Sequence, residues 1–171
     1  MSINNFFKLV IAIVVSELAG VIGSVFTIYA IPTPSTSSGL SWYAGLVKPA
    51  LNPPAWVFGP AWTTLYALMG IAAWLVWKRW DQGDPSTRLR VKTALTIFGL
   101  QLFLNAIWSI IFFGLHSPGL ALIDIVLLWL AIIWTIAVFY KISRPAAYLL
   151  VPYLLWVSFA SYLNYSIWIL N

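Results

Sequence analysis

Tryptophans placed inside long apolar segments are the residues of this chain best suited to chemistry. The chain has 11 Trp among 171 residues. Trp62, Trp108 and Trp156 each lie about two turns or more inside an apolar segment, where an indole N–H needs an acceptor or a ligand. Asn105 precedes Trp108 by one helical turn. These side chains predict an aromatic-lined cavity, with ordinary lipid-facing tryptophans as the alternative.

Other reactive residue types are scarce in the sequence. His116 is the only histidine, and it lies in a short polar connection without a neighbouring acid or nucleophile, which favours a capping or solvated role. Glu17 and Asp124 interrupt apolar segments, but two carboxylates without further ligands cannot enclose a metal ion. Ionisable groups inside a membrane are functional candidates by default, whereas Asp124 is expected to hydrogen-bond to another helix. Because the chain has no cysteine, disulfides and thiolate metal sites are excluded.

The composition is that of a membrane protein. Hydrophobic residues make up 62% of the chain and charged residues 8%, whereas a soluble domain has about 25% charged residues. Five apolar segments approach the roughly 20 residues that cross a bilayer. They are residues 9–31, 55–77, 93–115, 119–140 and 146–170. We therefore expect an all-α integral membrane protein in which residues 1–171 form one domain, a bundle of five transmembrane helices.

The basic residues predict the orientation of this bundle. With five helices, the N-terminus and the second and fourth connections share one side, which holds eight of the nine Lys and Arg residues and leaves only Lys48 opposite. The positive-inside rule then predicts a cytoplasmic N-terminus and an outer C-terminus in the cytoplasmic membrane of the cell. This asymmetry accounts for the net charge of +5, so that nucleic-acid binding is not needed to explain it.

The connection 32–54 is long for so compact a protein, and long ordered loops often act as lids. Trp42 and Tyr43 give it aromatic surface to pack with, so it is predicted to cap the outer end of the bundle.

In the first helix, small residues recur every four positions from Ala12 to Ser24. Such a stripe lets helix backbones approach closely in a membrane, either within the bundle or across a dimer.

The motifs resemble those of a known family. The stretches WYAGLVKPALNPPAWVFGPAWTTLYALMG, QLFLNAIWSIIFFG, GLALIDIVLL and VPYLLWVSFASYLNYSIW are similar, in this order, to the translocator protein family, also called the tryptophan-rich sensory proteins. The resemblance implies a five-helix bundle, usually a homodimer, with a pocket beneath the first loop. Its ligands would be tetrapyrroles such as protoporphyrin IX and haem, or other apolar small molecules, bound as ligands rather than as cofactors. The implied pocket residues are Tyr43, Phe58, Trp62, Tyr66, Asn105, Trp108, Leu127, Trp156, Ala160 and Leu163.

The resemblance leaves several functions open. A receptor or carrier of tetrapyrroles in transport, sensing or stress response is the leading hypothesis, with Lys48 pairing with a propionate. The alternative is an enzyme that degrades porphyrin with light and oxygen, using Trp62 and Trp156 as redox partners. A transporter or channel with a continuous polar path across the bilayer is disfavoured because the cytoplasmic halves of the helices offer few polar side chains. Animal members also bind cholesterol, but the last helix lacks the basic residue of their sterol pattern, which is typical of a prokaryotic member.

Overall fold

The described residues fold mainly into helices. The structure is a computed structural model that describes residues 3–28, 42–81 and 83–171. Residues 29–31 of the first predicted helix and 32–41 of the predicted cap lie outside the described residues. The helices are α1 (Ile3–Ile28), α2 (Trp42–Gly45), α3 (Ala55–Trp77), α4 (Pro85–Ser109), α5 (Pro118–Tyr140), α6 (Arg144–Leu149) and α7 (Val151–Leu170). A 3₁₀ turn, Lys78–Trp80, extends α3, and a π-helical turn, Ile110–Gly114, extends α4.

Five helical spans in the described part of the chain are long and apolar enough to cross a membrane. They are Ile3–Thr27, Ala55–Trp80, Pro85–Gly114, Pro118–Tyr140 and Arg144–Leu170. The prediction of an all-α membrane protein with five transmembrane helices is therefore confirmed.

The third span begins eight residues earlier than the predicted boundary at residue 93. The Asp84 side chain accepts a hydrogen bond from the Thr87 backbone N–H at 2.7 Å, and Pro85 occupies the first turn, where it loses no helical hydrogen bond. Arg88 and Arg90 are exposed within this first part of α4. Long basic side chains can reach the interface from inside a helix, so the charges do not mark its end.

Helix contacts arrange the spans in a ring. α1 packs on α3 and α4, α4 packs on α5, and α5 packs on α6 and α7. α3 closes the ring mainly through α6, at the end that carries most of the basic residues, and makes little contact with α7. The ring is therefore tight at the basic end, while α3 and α7 diverge toward the other end.

Small residues bring α1 and α3 close together. Ser16 is fully buried with 0% exposure, and a Cβ atom at Gly70 would lie 2.5 Å from the Ile13 Cα. At Gly20 an added Cβ would collide with the ring of Tyr66. The small-residue stripe of α1 thus packs within the bundle, on α3. At the basic end, an ion pair of 2.6 Å links Lys8 of α1 to Asp81, the residue after the 3₁₀ turn that extends α3.

We predict that Gly70→Ala destabilises the bundle by about 1–3 kcal/mol, because overpacking against a backbone atom cannot be relieved by rotating a side chain. Thermal unfolding of the purified protein in detergent measures the effect. Gly99→Ala is the control, since nothing lies within 4 Å of a Cβ atom there. Equal melting temperatures for both variants and the wild type would show that α1 and α3 do not approach this closely.

Candidate functional site

A cavity of about 420 Å³ opens between the diverging halves of the helices. Its volume falls in the range of roughly 300–1,000 Å³ found for small-molecule sites. α1, α2, α3, α4, the π-helical turn and α7 contribute to its wall, whereas α5 does not. The cavity lies at the end of the bundle where α1 ends and α3 begins, away from the Lys8–Asp81 pair.

One wall of the cavity consists of aromatic rings on α3 and α7 that contact one another. Phe58, Trp62 and Tyr66 follow one another at four-residue spacing, which places them on one face of α3. The Trp62 and Tyr66 rings stack with centroids 5.5 Å apart. Trp156 of α7 meets Trp62 edge to face at 6.3 Å and Phe58 at 6.1 Å. Ala160, one turn after Trp156, leaves space beside these rings.

The opposite wall comes from α4, the π-helical turn and α2. Trp108 stacks on Phe112 at 5.1 Å, and Tyr43 contacts Phe112 and Phe113 edge to face at 6.3 Å and 5.6 Å. A π-helical turn inserts one residue into the helical repeat. Both Phe112 and Phe113 therefore contribute to the wall, although they are neighbours in sequence.

The deep tryptophans differ in how their N–H groups are used. Trp108 Nε1 donates to Asn164 Oδ1 at 2.9 Å, and Asn164 Nδ2 donates to the Pro118 carbonyl at 2.7 Å. Trp62 and Trp156 line the cavity, and their indole N–H groups have no acceptor among the described residues. The protein thus fixes Trp108 in place and leaves two donors for a molecule in the cavity.

A buried hydrogen-bond chain lies behind this wall. Tyr66 donates its hydroxyl hydrogen to Asn105 Oδ1, and Asn105 Nδ2 donates to the Tyr153 hydroxyl oxygen at 3.1 Å. Asn105 and Tyr153 are only 4% and 1% exposed. One amide therefore links α3, α4 and α7 at the deep end of the cavity, and because both residues are buried, a lost hydrogen bond there is costly.

The segment from Trp42 to Pro54 covers the end of the bundle opposite the Lys8–Asp81 pair. Trp42 stacks on His116 with centroids 4.6 Å apart, and His116 has a positive φ of 52°. Val47 N–H donates to Asn171 Oδ1 at 2.9 Å, and Asn171 Nδ2 donates back to the Val47 carbonyl at 3.0 Å. These contacts hold the described part of the cap against the connection after α4 and against the end of α7.

Tyr43 and Lys48 form the polar part of this cap. Burial raises the pKa of the Tyr43 hydroxyl, while its hydrogen bond to Asn52 Oδ1 at 3.2 Å acts in the opposite direction. The Lys48 ammonium lies 4.7 Å from the centre of the Tyr43 ring and donates to the carbonyl oxygens of Ala44 and Leu46. Lys48 is therefore a neighbour of the cavity wall and is not part of it.

The structure brings most of the residues implied by the resemblance together. Eight of the ten line the cavity: Tyr43, Phe58, Trp62, Tyr66, Trp108, Trp156, Ala160 and Leu163. Asn105 lies behind Tyr66 and does not face the cavity. Leu127 is on α5, is 50% exposed and lies away from the cavity.

The two membrane-interior acids have different surroundings. Glu17 lines the cavity. Its charge within an apolar segment makes it a functional candidate in the sequence, but the sequence does not show that it faces the cavity. Asp124 is 7% exposed, and its Oδ2 has no hydrogen-bond partner within the described residues. The hydrogen bond expected from Asp124 to another helix is thus not observed for this oxygen.

Comparison with known proteins gives consistent matches along the chain. Residues 12–169 match the model of the TspO/MBR family. The chain is 47% identical to the tryptophan-rich protein TspO of Chlorobaculum tepidum over 89% of this chain and 88% of that protein. It is 44% identical to the protein of the same name from Archaeoglobus fulgidus, over 98% and 99% of the two chains. The translocator protein of Homo sapiens is 45% identical over 76% of this chain and 75% of its own length.

We predict that Tyr153→Phe lowers the free energy of unfolding by about 1–3 kcal/mol, because it leaves the buried Asn105 Nδ2 without its acceptor. Tyr162→Phe on the same helix is the control, since the Tyr162 side chain is exposed and its loss should change stability by less than about 0.5 kcal/mol. Denaturant unfolding in detergent followed by circular dichroism compares the two. Similar stabilities for both variants would contradict a structural role of the hydrogen-bond chain.

Proposed function

The chain is a multi-pass integral membrane protein that belongs to the TspO/MBR family, and from this premise we propose that it binds tetrapyrroles in the aromatic cavity. Protoporphyrin IX and haem are the proposed ligands. The role would be that of a receptor or carrier in tetrapyrrole transport, sensing or stress response. The names of two relatives, translocator protein and tryptophan-rich sensory protein, agree with these roles.

The pair of indoles on α3 and α7 carries this proposal. A tetrapyrrole is flat and largely apolar, and it gains by stacking on aromatic faces that are shielded from water. Trp62 and Trp156 offer such faces at right angles to each other, with an interplanar angle of 84°. Their N–H groups, which have no acceptor among the described residues, would donate to polar atoms of the ligand. Phe58, Tyr43 and Leu163 would enclose the rest of the macrocycle.

The proposed setting is the cytoplasmic membrane, with the cavity opening to the outer side. Lys8, Lys78 and Arg79 lie at the end of the bundle opposite the cavity, which supports a cytoplasmic N-terminus by the positive-inside rule. The C-terminal Asn171, bonded to Val47, would then be outside. A homodimer, which the resemblance to the family implies, is part of the proposal; a second copy would replace lipid on the apolar faces of α1 or α5, which include Val14, Leu18 and Leu130.

Porphyrin degradation is a second candidate function, favoured by the close approach of the two oxidisable indoles. Their ring centroids are 6.3 Å apart, so a porphyrin stacked on one would be near the other. Light would excite the porphyrin, an indole would donate an electron to it, and the reduced porphyrin would pass that electron to dioxygen, which becomes superoxide. The oxidised indole would then take an electron from the porphyrin, so that the porphyrin is oxidised in the net reaction and dioxygen is the oxidant. In this reading Trp62 and Trp156 are the redox partners.

The first test is a titration of the purified protein with protoporphyrin IX, followed by tryptophan fluorescence. Stoichiometric quenching is expected, and its absence at micromolar ligand would contradict tetrapyrrole binding.

Ala160→Thr should weaken binding by a few-fold to tenfold, about 1 kcal/mol, because a stiff β-branched side chain fills the space beside Trp156. Ala137→Thr, on the lipid-facing side of α5, is the matched control and should bind like the wild type. Equal affinities for both variants would place the ligand elsewhere.

The degradation hypothesis predicts that Trp62→Phe and Trp156→Phe each slow the light-dependent loss of porphyrin absorbance while porphyrin binding stays measurable. Trp134→Phe is the control, because Trp134 is exposed on α5 and outside the cavity. Absorbance is followed under constant illumination in the presence of dioxygen. If all three variants lose absorbance at the wild-type rate, the loss is photobleaching and the protein does not catalyse it.

A further inference from the structure

Glu17 places a carboxyl group in the wall of the aromatic cavity. It lies near the middle of α1 and shares one helix face with Gly20 and Ser24, which also line the cavity. The neighbouring Val14 and Leu18 are exposed and face away from the bundle. The Glu17 side chain therefore borders the cavity from within the membrane-spanning part of α1.

Glu17 lies at the deep end of the cavity. The lining of α1 extends from Glu17 to Thr27, that of α3 from Tyr66 back to Ala55, and that of α7 from Trp156 to Ile167. Because Thr27, Ala55 and Ile167 are close to the helix ends on the capped side, the other ends of these three stretches are the deepest. Glu17, Tyr66 and Trp156 are thus the deepest lining residues of their three helices, here termed the floor of the cavity, and Trp156 contacts Trp62, the ring that stacks on Tyr66.

Among the described residues, none with a positive charge lines the cavity beside the Glu17 carboxyl group. Within the described residues, Glu17 forms neither a hydrogen bond nor an ion pair, and it is the only charged residue type in the lining. Lys8 is paired with Asp81, and the Lys48 ammonium lies against Tyr43 and loop carbonyls at the opposite end. Asp124 is outside the lining.

Such a floor has the chemistry that recognises organic cations. A carboxylate inside a membrane is costly unless a positive charge compensates it, and the faces of Trp and Tyr rings attract the same charge through cation–π interactions. A ligand cation between Glu17 and the rings of Tyr66 and Trp156 would satisfy both. Its apolar body would extend toward Phe58 and Trp62, which already form an aromatic wall.

We propose that this cavity is a binding site for amphiphilic amines, with the ammonium group paired to Glu17 and the apolar body along the aromatic wall. The proposal uses the cavity of the proposed function and does not depend on tetrapyrrole binding. A carbon-for-nitrogen isostere of the same shape lacks the charge and would bind through apolar contacts alone. The preference for the cation over this isostere is therefore the signature of the Glu17 site.

The test uses phenylbutyltrimethylammonium and its neutral isostere, in which carbon replaces the quaternary nitrogen. Binding to the full-length protein in non-ionic detergent is measured by titration calorimetry. We expect the cation to bind wild-type protein at least tenfold more tightly than the isostere. Equal affinities would overturn the proposal, whereas protoporphyrin IX quenching measured on the same sample reports separately on tetrapyrrole binding.

Two variants assign the preference to a residue. Glu17→Gln should remove the difference between cation and isostere, because the amide keeps the size of the side chain without its charge. Asp124→Asn, at the other membrane-interior acid, should keep the difference. Binding of the isostere shows that each variant retains a folded cavity. If Glu17→Gln still binds the cation more tightly than the isostere, the assignment to Glu17 is wrong. The same holds if only Asp124→Asn loses this preference.

Discussion

The side chain of Asn105 joins three helices at the depth where the cavity ends. It accepts a hydrogen bond from Tyr66 of α3 and donates one to Tyr153 of α7, while its own backbone belongs to α4. Inside a membrane such polar groups cannot hydrogen-bond to bulk water, so each needs a hydrogen-bond partner within the protein. This requirement fixes the spacing of α3 and α7 on one side of the junction and allows them to diverge on the other.

The residues on either side of this junction differ in size. Toward the basic end, Ala72, Ala73 and Ala146 are buried, and α3 packs closely on α6. Toward the capped end, Phe58, Trp62 and Trp156 face one another. Large rings meeting edge to face hold α3 and α7 apart at this end, and the cavity lies between these rings and the opposite wall that includes Trp108 and Phe112. Its shape therefore follows from a gradient of side-chain volume along the same helices.

The sequence predicts the spans well because a transmembrane helix is encoded by a local run of apolar residues. It predicts the cavity wall less well because lipid-facing side chains are as apolar as core side chains, so hydrophobic periodicity does not reveal the inward face. Trp62 and Trp156 are found by their depth. Placing Leu127 or Glu17 requires the order of helices around the ring, which long-range packing of α1 on α3 and of α5 on α7 decides.

The charged groups nearest the cavity lie at opposite ends of it. Glu17 borders the floor, while the Lys48 ammonium rests on the ring of Tyr43 near the cap. A ligand between them would meet a negative end deep in the bundle and a positive end at the mouth. A tetrapyrrole would thus direct its propionates outward, whereas an amphiphilic amine would direct its ammonium inward. The same aromatic walls would serve both ligand classes, and the sign of the charged group would decide which end of each ligand enters first.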